Sequence, residues 1–476
     1  MREGSSRRRF LGLLGASAVT GLAGCSDLGL SGGDGESVSD GASGGGGDGG
    51  TGGSDGGGNE NDAGTPTATA TPTENDGAAD GQTPTETASP SQTEAATATP
   101  GSGTPADVGS VAGGPGAIEN AYPQWQYDAA NTATGDTAGP GGQPSIAWGW
   151  PADPGESPRV WSFAATESTV FASRIVGEES PQARVVALDA NSGDVYWQRD
   201  LGEGTGRHGD LALAEGSVYL IAGRSLFSLE AATGETEWSV DHGSAATAPV
   251  VADGTVYTSD NSTLGAYATS DGSQRWSHTP EVSDGLMFVE NPAVRDGRVF
   301  VGAQHLQALS PGDGSVQWTA EVETEVTGAP TVGPDRVYVP TDAGETFGFD
   351  VADGSRTWQS SEMSEAFSYE ISPALVGDTL YLLTDDRIAA VSRSDASVQW
   401  TVEGGFGDSF STPTVADGAI YTSFVSSVQA RSTDSGDQFW SFTGNASASS
   451  GASHPVVVDG TVYLRDGNRQ LLALRA

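Results

Sequence analysis

The side chain with the most specific predicted chemistry is the thiol of Cys25, the single cysteine in a chain of 476 residues. It ends the sequence Leu22-Ala23-Gly24-Cys25, which has the small residues and the cysteine of a lipobox. Upstream, Arg7 and Arg8 form the twin arginines of an export signal, and the apolar stretch that follows is too short to span a bilayer. The pattern predicts that residues 1–24 are a signal peptide and that Cys25 receives a lipid. A buried structural cysteine is the alternative.

A second group of side chains has ligand types that suit a hard cation. Glu290, Asn291 and Glu370 offer carboxylate and amide oxygens, which Ca²⁺ prefers. They belong to a larger set that precedes a recurring proline and that we expect at the mouth of a central channel, namely His208, Asp210, Glu290, Asn291, Tyr369, Glu370, Ser411 and His454. The alternative is that these are solvated residues of an acidic surface. The five histidines show no metal-ligand spacing, and no hydrolase, P-loop or zinc-protease motif occurs, so we assign no catalytic residue.

The elements that must position these side chains are indicated by a tryptophan that returns about every forty residues. Its copies are Trp197, Trp238, Trp276, Trp318, Trp358, Trp400 and Trp440. A glycine stands four positions before each of them except Trp400, where Ala396 replaces it. Each unit also holds a turn followed by β-branched and aromatic residues, as in Gly254-Thr-Val-Tyr257. Four short antiparallel strands at this period are typical of one blade of a β-propeller.

The two ends of the chain are expected to share one blade. After Trp440 the sequence holds three strands without a tryptophan strand, whereas Ser145–Trp150 is a tryptophan strand with no blade in front of it. Pairing the two would remove open sheet edges. We therefore predict an all-β fold of eight four-stranded blades, with Trp150 as the docking tryptophan of the last blade. A ring of seven blades is the structural alternative.

The repeated phrases resemble those of a known family. Ala187-Leu-Asp189-Ala-Asn-Ser-Gly193-Asp-Val-Tyr-Trp197 is similar to the tryptophan-docking repeat of PQQ-type propellers. That superfamily includes quinoprotein alcohol dehydrogenases and non-catalytic lipoproteins similar to the assembly factor BamB. Tyr122-Pro-Gln-Trp-Gln-Tyr-Asp128 also resembles the lead-in to the first strand of such lipoproteins. The resemblance implies a PQQ-like propeller over residues 116–476, and it describes packing more than activity.

The resemblance also defines what an enzyme of this family would need. Its quinone is held by a calcium ion with Glu, Asn and Asp ligands, often beside a disulfide between adjacent cysteines. The propeller region has no cysteine, and no motif matches the catalytic set residue by residue. We therefore expect no cofactor, and PQQ with Ca²⁺ remains the alternative.

Composition predicts the surroundings of the protein. Residues 25–115 are rich in Gly, Asp, Ser, Thr and Pro, which predicts a lipidated, disordered linker. The net charge is −42, and every basic residue is arginine. In molar salt the Debye length falls to about 3 Å, which would screen this self-repulsion. Together with the export signal, this composition favours an extreme halophile, which we interpret as an archaeon, and it argues against nucleic-acid binding.

These features predict a monomeric module anchored to the outer face of the cytoplasmic membrane, where it binds a protein or another envelope ligand without chemistry of its own. The alternatives are a PQQ- and Ca²⁺-dependent oxidoreductase and a structural spacer of the cell envelope. Asn261 and Asn445 begin N-glycosylation sequons, which would be consistent with an exported location.

Overall fold

The computed structural model describes residues 115, 128–135, 137–151, 159–206, 208–243, 247–260, 262–280, 291–323, 326–341, 343–361, 371–384, 387–404, 411–424, 427–444 and 453–476. The twin arginines, Cys25 and the linker of residues 26–114 lie outside them, as do Asn261 and Asn445. All the strands belong to one compact unit, Gln92–Ala476. Within the described ranges, no helix is long and apolar enough to cross a membrane.

The described residues form eight antiparallel sheets, which are the blades of a propeller. The first two strands, β1 (Thr134–Gly135) and β2 (Ser145–Trp150), join the seventh and eighth blades. Blades 1 to 4 follow one another along the chain. Their strands are β3 (Val160–Ala165), β4 (Thr169–Val176), β5 (Gln182–Asp189) and β6 (Val195–Asp200); β7 (His208–Ala214), β8 (Ser217–Ala222), β9 (Ser225–Glu230) and β10 (Thr236–Asp241); β11 (Val250–Ala252), β12 (Thr255–Ser259), β13 (Leu264–Ala268) and β14 (Gln274–His278); and β15 (Ala293–Arg295), β16 (Arg298–Gly302), β17 (Leu306–Leu309) and β18 (Val316–Ala320).

Blades 5 to 8 continue the same order, and the last of them is completed by the early strand β2. Their strands are β19 (Thr331–Val332), β20 (Arg336–Pro340), β21 (Thr346–Asp350) and β22 (Arg356–Ser360); β23 (Ala374–Val376), β24 (Thr379–Leu383), β25 (Arg387–Ser392) and β26 (Val398–Glu403); β27 (Thr414–Ala416), β28 (Ala419–Phe424), β29 (Ser427–Ser432) and β30 (Gln438–Thr443); and β31 (Val456–Val458), β32 (Thr461–Arg465), β33 (Leu471–Arg475) and β2.

The first strand of each blade lies at the centre of the ring. These inner strands contact their neighbours around a closed circle, with β31 of blade 8 against β3 of blade 1 and β3 against β7. The circle is closed at the rim by β2, which pairs antiparallel with β33 from Ser145 opposite Arg475 to Trp150 opposite Leu471. The prediction of eight blades with one blade split between the chain ends is therefore confirmed.

Each docking tryptophan joins its blade to the next one. The indole Nε1 of Trp197, for example, donates to the carbonyl oxygen of Ala231 at 2.9 Å, and Trp238 does the same to Thr269 at 2.8 Å. The aromatic residue of the repeated phrase packs against the same ring, with centroids 5.3–6.1 Å apart in the eight pairs from Phe171–Trp197 through Tyr421–Trp440 and Trp148–Tyr463. The period in the sequence therefore reflects contacts between blades as well as within them.

The docking tryptophan of blade 8 is Trp148, which corrects the assignment of Trp150. Trp148 lies opposite the small residue Ala473, as Trp276 lies opposite Ala266, and its Nε1 donates to Ala190 of blade 1 at 2.9 Å. Trp150 is also buried, but Arg174 lies over its ring at 5.4 Å. The two tryptophans are two residues apart and share a face of the strand, so the register with β33 decides between them.

Each docking tryptophan packs over a turn of the next blade. This contact explains the glycine that stands four residues before the following docking tryptophan. Gly234 has a φ of +73°, and a Cβ added there would lie 2.5 Å from Cε3 of Trp197. Glycine adopts this left-handed conformation without strain and leaves room for the aromatic ring. Ala396 holds the equivalent place below Trp358 at a φ of +59°, where an L-residue is strained.

A segment that precedes the ring in sequence lies inside it. We call residues 128–138, residue 136 excepted, the inner strap. Its carbonyl oxygens accept hydrogen bonds of 2.5–2.9 Å from the backbone N–H groups of successive inner strands, from Val294 to Ala129, Val332 to Ala130, Leu375 to Thr132 and Val415 to Ala133. The strap then pairs parallel with β27 as β1, and Ala138 accepts from Gly460 of blade 8. It therefore contacts blades 4 to 8 in turn, at the centre where an open ring would hold solvent.

Candidate functional site at the mouth of the ring

The mouth of the ring is the end at which the inner strands begin, and its described residues include several of the predicted site residues. Asp210 lies near the start of β7 and His454 lies two residues before β31. The turn between β32 and β33 reaches the same end, because β32 runs antiparallel to β31. This turn brings Arg465 and Arg469 of blade 8 beside blades 1 and 2.

A partly exposed tryptophan lies between these charged groups. Trp161 falls in a bulge of β3, where the register with β4 shifts between Val160 and Ser162, and 40% of its surface is exposed. Arg465 donates from Nη1 to the carbonyl oxygen of Trp161 at 2.8 Å, and the guanidinium of Arg469 lies over its ring at 5.8 Å. We call Trp161, Asp210, His454, Arg465 and Arg469 the mouth cluster.

The turn that carries Arg469 is held in place by hydrogen bonds to its backbone N–H and carbonyl groups. The carboxylate of Asp466 accepts the N–H groups of Asn468 and Gln470, each at 2.9 Å, and its side chain is buried. Arg469 adopts a φ of +63°, and its carbonyl oxygen accepts from the N–H of Val160 at 3.0 Å. The turn is thus bonded to blade 1, and the position of Arg469 above Trp161 is set by the closure of the ring.

The charged residues of the mouth cluster influence one another's pKa values. Burial lowers the pKa of His454, the charge of Asp210 opposes this, and that of Arg465 adds to it. Burial likewise lowers the pKa of Arg465, and the like charge of Arg469 adds to the effect while Asp210 opposes it. Two guanidinium groups on neighbouring positions repel each other, so an anionic group placed beside them would be stabilised.

Other predicted mouth residues have structural partners. The side-chain oxygen of Asn291 accepts the N–H of Ala248 at 3.0 Å and so links blade 4 to blade 3. Ser411 is buried, and its hydroxyl lies 2.9 Å from that of Ser423 in the same blade. The backbone of His208 pairs with Ala222, whereas its side chain is not described. Glu290, Tyr369 and Glu370 lie outside the described residues.

The described donors do not fit a calcium–quinone site. The amide oxygen of Asn291 already accepts a backbone N–H, and in the described part of the chain no three His, Cys, Asp or Glu side chains come together in a group that could hold a metal ion. The mouth cluster combines one carboxylate with two guanidinium groups, which repel a cation. No reaction step is therefore derived through a quinone or a metal ion.

Comparison with known proteins identifies the family. The family model described as outer membrane protein assembly factor BamB matches residues 181–287 and 260–428, more than half of the chain. The chain belongs to the BamB family. A BamB of Yersinia pestis is 28% identical over 247 residues, which is 46% of this chain and 61% of the relative. The chain thus spans less than two thirds of the length of this relative.

Solved structures agree with the BamB family at the level of the fold. BamB from Moraxella catarrhalis has a TM-score of 0.55 at 16% identity and matches 70% of this chain and 100% of its own. Quinohemoprotein alcohol dehydrogenase from Comamonas testosteroni has a TM-score of 0.57 at 14% identity and matches 75% and 81%, respectively. At such low identity these likenesses describe the propeller alone.

Three residues of the mouth cluster were missed by sequence reasoning, which selected residues by their place before a proline. Trp161 stands at the start of blade 1, where no proline of the repeat precedes it, and Arg465 and Arg469 come from the end of β32 and the turn that follows it. The available signal was composition: two of the few arginines of an acidic chain, Arg465 and Arg469, lie four residues from each other in the last blade.

Proposed function

We propose that this member of the BamB family is a lipid-anchored binding module of the cell envelope without chemistry of its own. The relatives are named as assembly factors of outer membrane proteins. The proposal for this chain is narrower: its propeller binds a protein partner and holds it near a membrane.

The observation that supports this proposal most directly is the inner strap. The backbone of residues 129–133 is hydrogen-bonded to the inner strands of blades 4 to 7, and Asn131 and Ala133 have no exposed surface. On the side of blades 4 to 7, the central face of the inner strands is therefore covered by the chain itself. What the propeller presents to other molecules is its loops and the mouth cluster, which is the arrangement expected of a binding module.

The N-terminal quarter of the chain supplies the address in this proposal. Residues 1–24 direct export, Cys25 carries the lipid, and residues 26–115 form a tether that holds the propeller of residues 116–476 away from the outer face of the membrane. A flexible chain of this kind spans on the order of 5–6 Å × √n, which gives a reach of tens of ångströms.

The test uses the full chain expressed in its native high-salt envelope. Cys25→Ser should release the protein into the soluble fraction after a high-salt wash, while Arg224→Gln, a surface change, should leave it in the membrane. Chemical cross-linking of intact cells should capture a protein partner of the propeller, and the purified protein should contain no stoichiometric PQQ or Ca²⁺. A Cys25→Ser protein that stays with the membrane would contradict the anchor. Stoichiometric quinone without any cross-linked partner would contradict the binding module.

A further inference from the structure

We infer that the outer edge of blade 7 binds an extended, uncharged segment of the partner protein, which pairs with β30 as an additional strand and packs an apolar side chain on Phe439. This inference rests on the proposed function, since it assigns a surface and a partner chemistry to the binding module. The surface lies at the rim of the ring and is separate from the mouth cluster, whose residues belong to blades 1, 2 and 8.

Phe439 occupies a position that has a structural role in other blades. Every outer strand has a bulge at the residue that precedes its docking tryptophan. In blade 2 this residue is Glu237, whose carboxylate accepts the hydroxyl groups of Ser217 and Ser228, each at 2.6 Å. The bulge residues of blades 3, 5 and 6 also bond to the first residue of the second strand, in the pairs Arg275–Thr255, Thr357–Arg336 and Gln399–Thr379.

Blade 7 replaces this polar pair by two apolar residues. The first residue of its second strand is Ala419, whose methyl group can neither donate nor accept a hydrogen bond. The exposed fraction of Phe439 is 60%, the highest among the large apolar side chains that the structure describes. Ile146 lies across the same seam in β2 and is 50% exposed, opposite Leu474, which belongs to one apolar cluster with Trp440. Exposed apolar surface at a position where four blades use a polar bond indicates a contact surface.

The backbone of β30 offers the hydrogen bonds that an added strand needs. One side of β30 pairs with β29, and among the described residues no strand pairs with its other side. The carbonyl oxygen of Ser441 points to this free side, because it accepts Nε2 of Gln143 at 2.7 Å. In an antiparallel sheet the N–H and C=O groups of one residue point to the same side, so the N–H of Ser441 faces outward as well. An extended backbone is the ligand that matches such an edge.

The edge of β30 also lacks the charges that protect other outer strands. Charged residues occur in β6, β10, β14, β22 and β26, whereas β2, β18 and β30 have none. Prolines flank β2 at positions 144 and 151, and two exposed glutamates, Glu321 and Glu323, follow β18. Asp437 precedes β30, but its carboxylate accepts the hydroxyl of Ser435 at 2.7 Å within its own turn. Charges and prolines are the usual means by which proteins prevent pairing at an edge, so β30 is the outer strand best suited to accept a partner.

The charge of the chain determines which segment is selected at this edge. The net charge is −42, so an acidic segment is repelled, and a basic segment is attracted to the acidic surface in general and not to β30 in particular. An uncharged segment avoids both effects. At molar salt, attraction between separated charges is screened within about 3 Å, whereas backbone hydrogen bonds and apolar burial persist. The ligand chemistry that fits is therefore a strand of β-branched, aromatic and hydroxyl side chains.

The direct test measures binding of a fluorescein-labelled hexapeptide of alternating threonine and valine to the full chain in detergent and molar KCl. Phe439→Ala should weaken binding by about tenfold, which corresponds to about 1.4 kcal/mol. The matched control is Val398→Ala, which removes a side chain that is 43% exposed on the outer strand of blade 6 and should bind within about twofold of the unchanged protein. The peptide should also slow amide hydrogen exchange at Ser441, because its backbone covers that N–H group.

A double variant keeps the test independent of folding. Phe439→Glu combined with Ala419→Ser copies the Glu237–Ser217 pair of blade 2, so the polar bond should form and the melting temperature should be retained. The added charge at the edge should nevertheless remove binding of the peptide. A double variant that melts like the unchanged protein and binds equally well would contradict the site.

A peptide that is N-methylated at all six residues tests the pairing of the backbones, since it keeps the side chains and cannot join a sheet. Equal binding of this peptide would overturn the inference, and so would failure of the unchanged protein to bind the unmodified peptide or equal binding by Phe439→Ala. A photo-cross-linking amino acid at position 439 separates this failure from that of the proposed function. A partner captured from other propeller positions but not from 439 would remove the edge of blade 7 and leave the binding module intact.

Discussion

The indole Nε1 of Trp148 donates a hydrogen bond of 2.9 Å to the carbonyl oxygen of Ala190, and this bond crosses the seam between the last blade and the first. The ring therefore closes with the same contact that joins its other blades. One blade earlier the pattern is interrupted. Among the described residues, Nε1 of Trp440 has no such acceptor, because the turn it would meet lies between β33 and β2, where the two chain ends fall.

This difference gives a prediction about three matched variants. Trp197→Phe removes a hydrogen bond and leaves the carbonyl oxygen of Ala231 without its indole donor, at a cost of about 1–3 kcal/mol beyond the change in ring size. Trp148→Phe also removes a hydrogen bond, but Ala190 still accepts from Tyr463 and Arg475, so this loss should cost about 0.5–1.5 kcal/mol. Trp440→Phe removes no such bond and should lower the free energy of unfolding by less. Chemical denaturation in molar salt measures all three. Equal losses would show that the indole bonds contribute nothing to the stability of the ring.

The docking turns predict that Gly234→Ala lowers the stability of the fold and that the reverse substitution at the equivalent position, Ala396→Gly, raises it. Gly234→Ala places a methyl group 2.5 Å from the Trp197 ring at a φ of +73° and should destabilise the fold by about 2 kcal/mol or more. Ala396→Gly relieves the strain of alanine at a φ of +59° and should stabilise it by a few tenths to about 1 kcal/mol, after the entropy cost of glycine. Thermal melting of both variants tests the pair. A lower melting temperature for Ala396→Gly would mean that its methyl contact outweighs the backbone strain.

The inner strap should contribute measurable stability to the ring. A chain that begins at residue 139 loses the acceptors for the N–H groups of Val294, Val332, Leu375 and Val415, and four such bonds correspond to about 2–6 kcal/mol. A chain that begins at residue 116 retains them and serves as the control. Amide hydrogen exchange at these four positions should speed up in the shorter chain alone. Unchanged protection would show that the inner strands keep their order without the strap.

The buried carboxyl group of Asp128 should make the free energy of unfolding depend on pH. Comparison with Asp128→Asn, which cannot titrate, isolates this effect. Burial raises the pKa of its carboxyl from the ordinary value of 3.8, although bonds to Thr132 and Ala130 and the charge of Arg295 oppose this. As pH rises through that window, the unfolded chain releases the proton before the folded chain does, so this group contributes less stability at higher pH. The free energy of unfolding of the unchanged protein should therefore fall relative to that of Asp128→Asn as the pH rises above the ordinary pKa of 3.8. A difference that is flat or rises over this range would contradict the sign.

The sequence predicts the blades because their determinants are local. A turn such as Asp253-Gly254 has φ values of +49° and +69°, which are those of a two-residue hairpin, and the repeated tryptophan marks the fourth strand. Local sequence does not decide whether Trp148 or Trp150 is the docking tryptophan of blade 8. Both residues share one face of β2, and the choice depends on the pairing of Trp148 with Ala473, more than 300 residues away.

The candidate site depends even more on distant contacts. Asp210 and His454 could be placed at the mouth from their positions at or before the start of inner strands, but Trp161 lies in a bulge, and Arg469 reaches it from another blade. The inner strap has neither the alternation of a strand nor the period of the repeat, so no pattern predicts it. Its conformation follows from the free N–H groups of five blades, which exist only once the ring has formed.

The path of the chain through its own ring has a mechanical consequence. Residues 128–138 lie at the hub, and the chain reaches the rim only afterwards, at β2. A pull applied on the N-terminal side of Asp128 is therefore resisted first by bonds to Val294, Val332, Leu375 and Val415, which belong to four different blades. The pairing of β2 with β33 bears load only after those bonds have broken. Tension on the N-terminal side would therefore be shared among the inner strands of several blades. The pairing of β2 with β33 would not be the first contact to open.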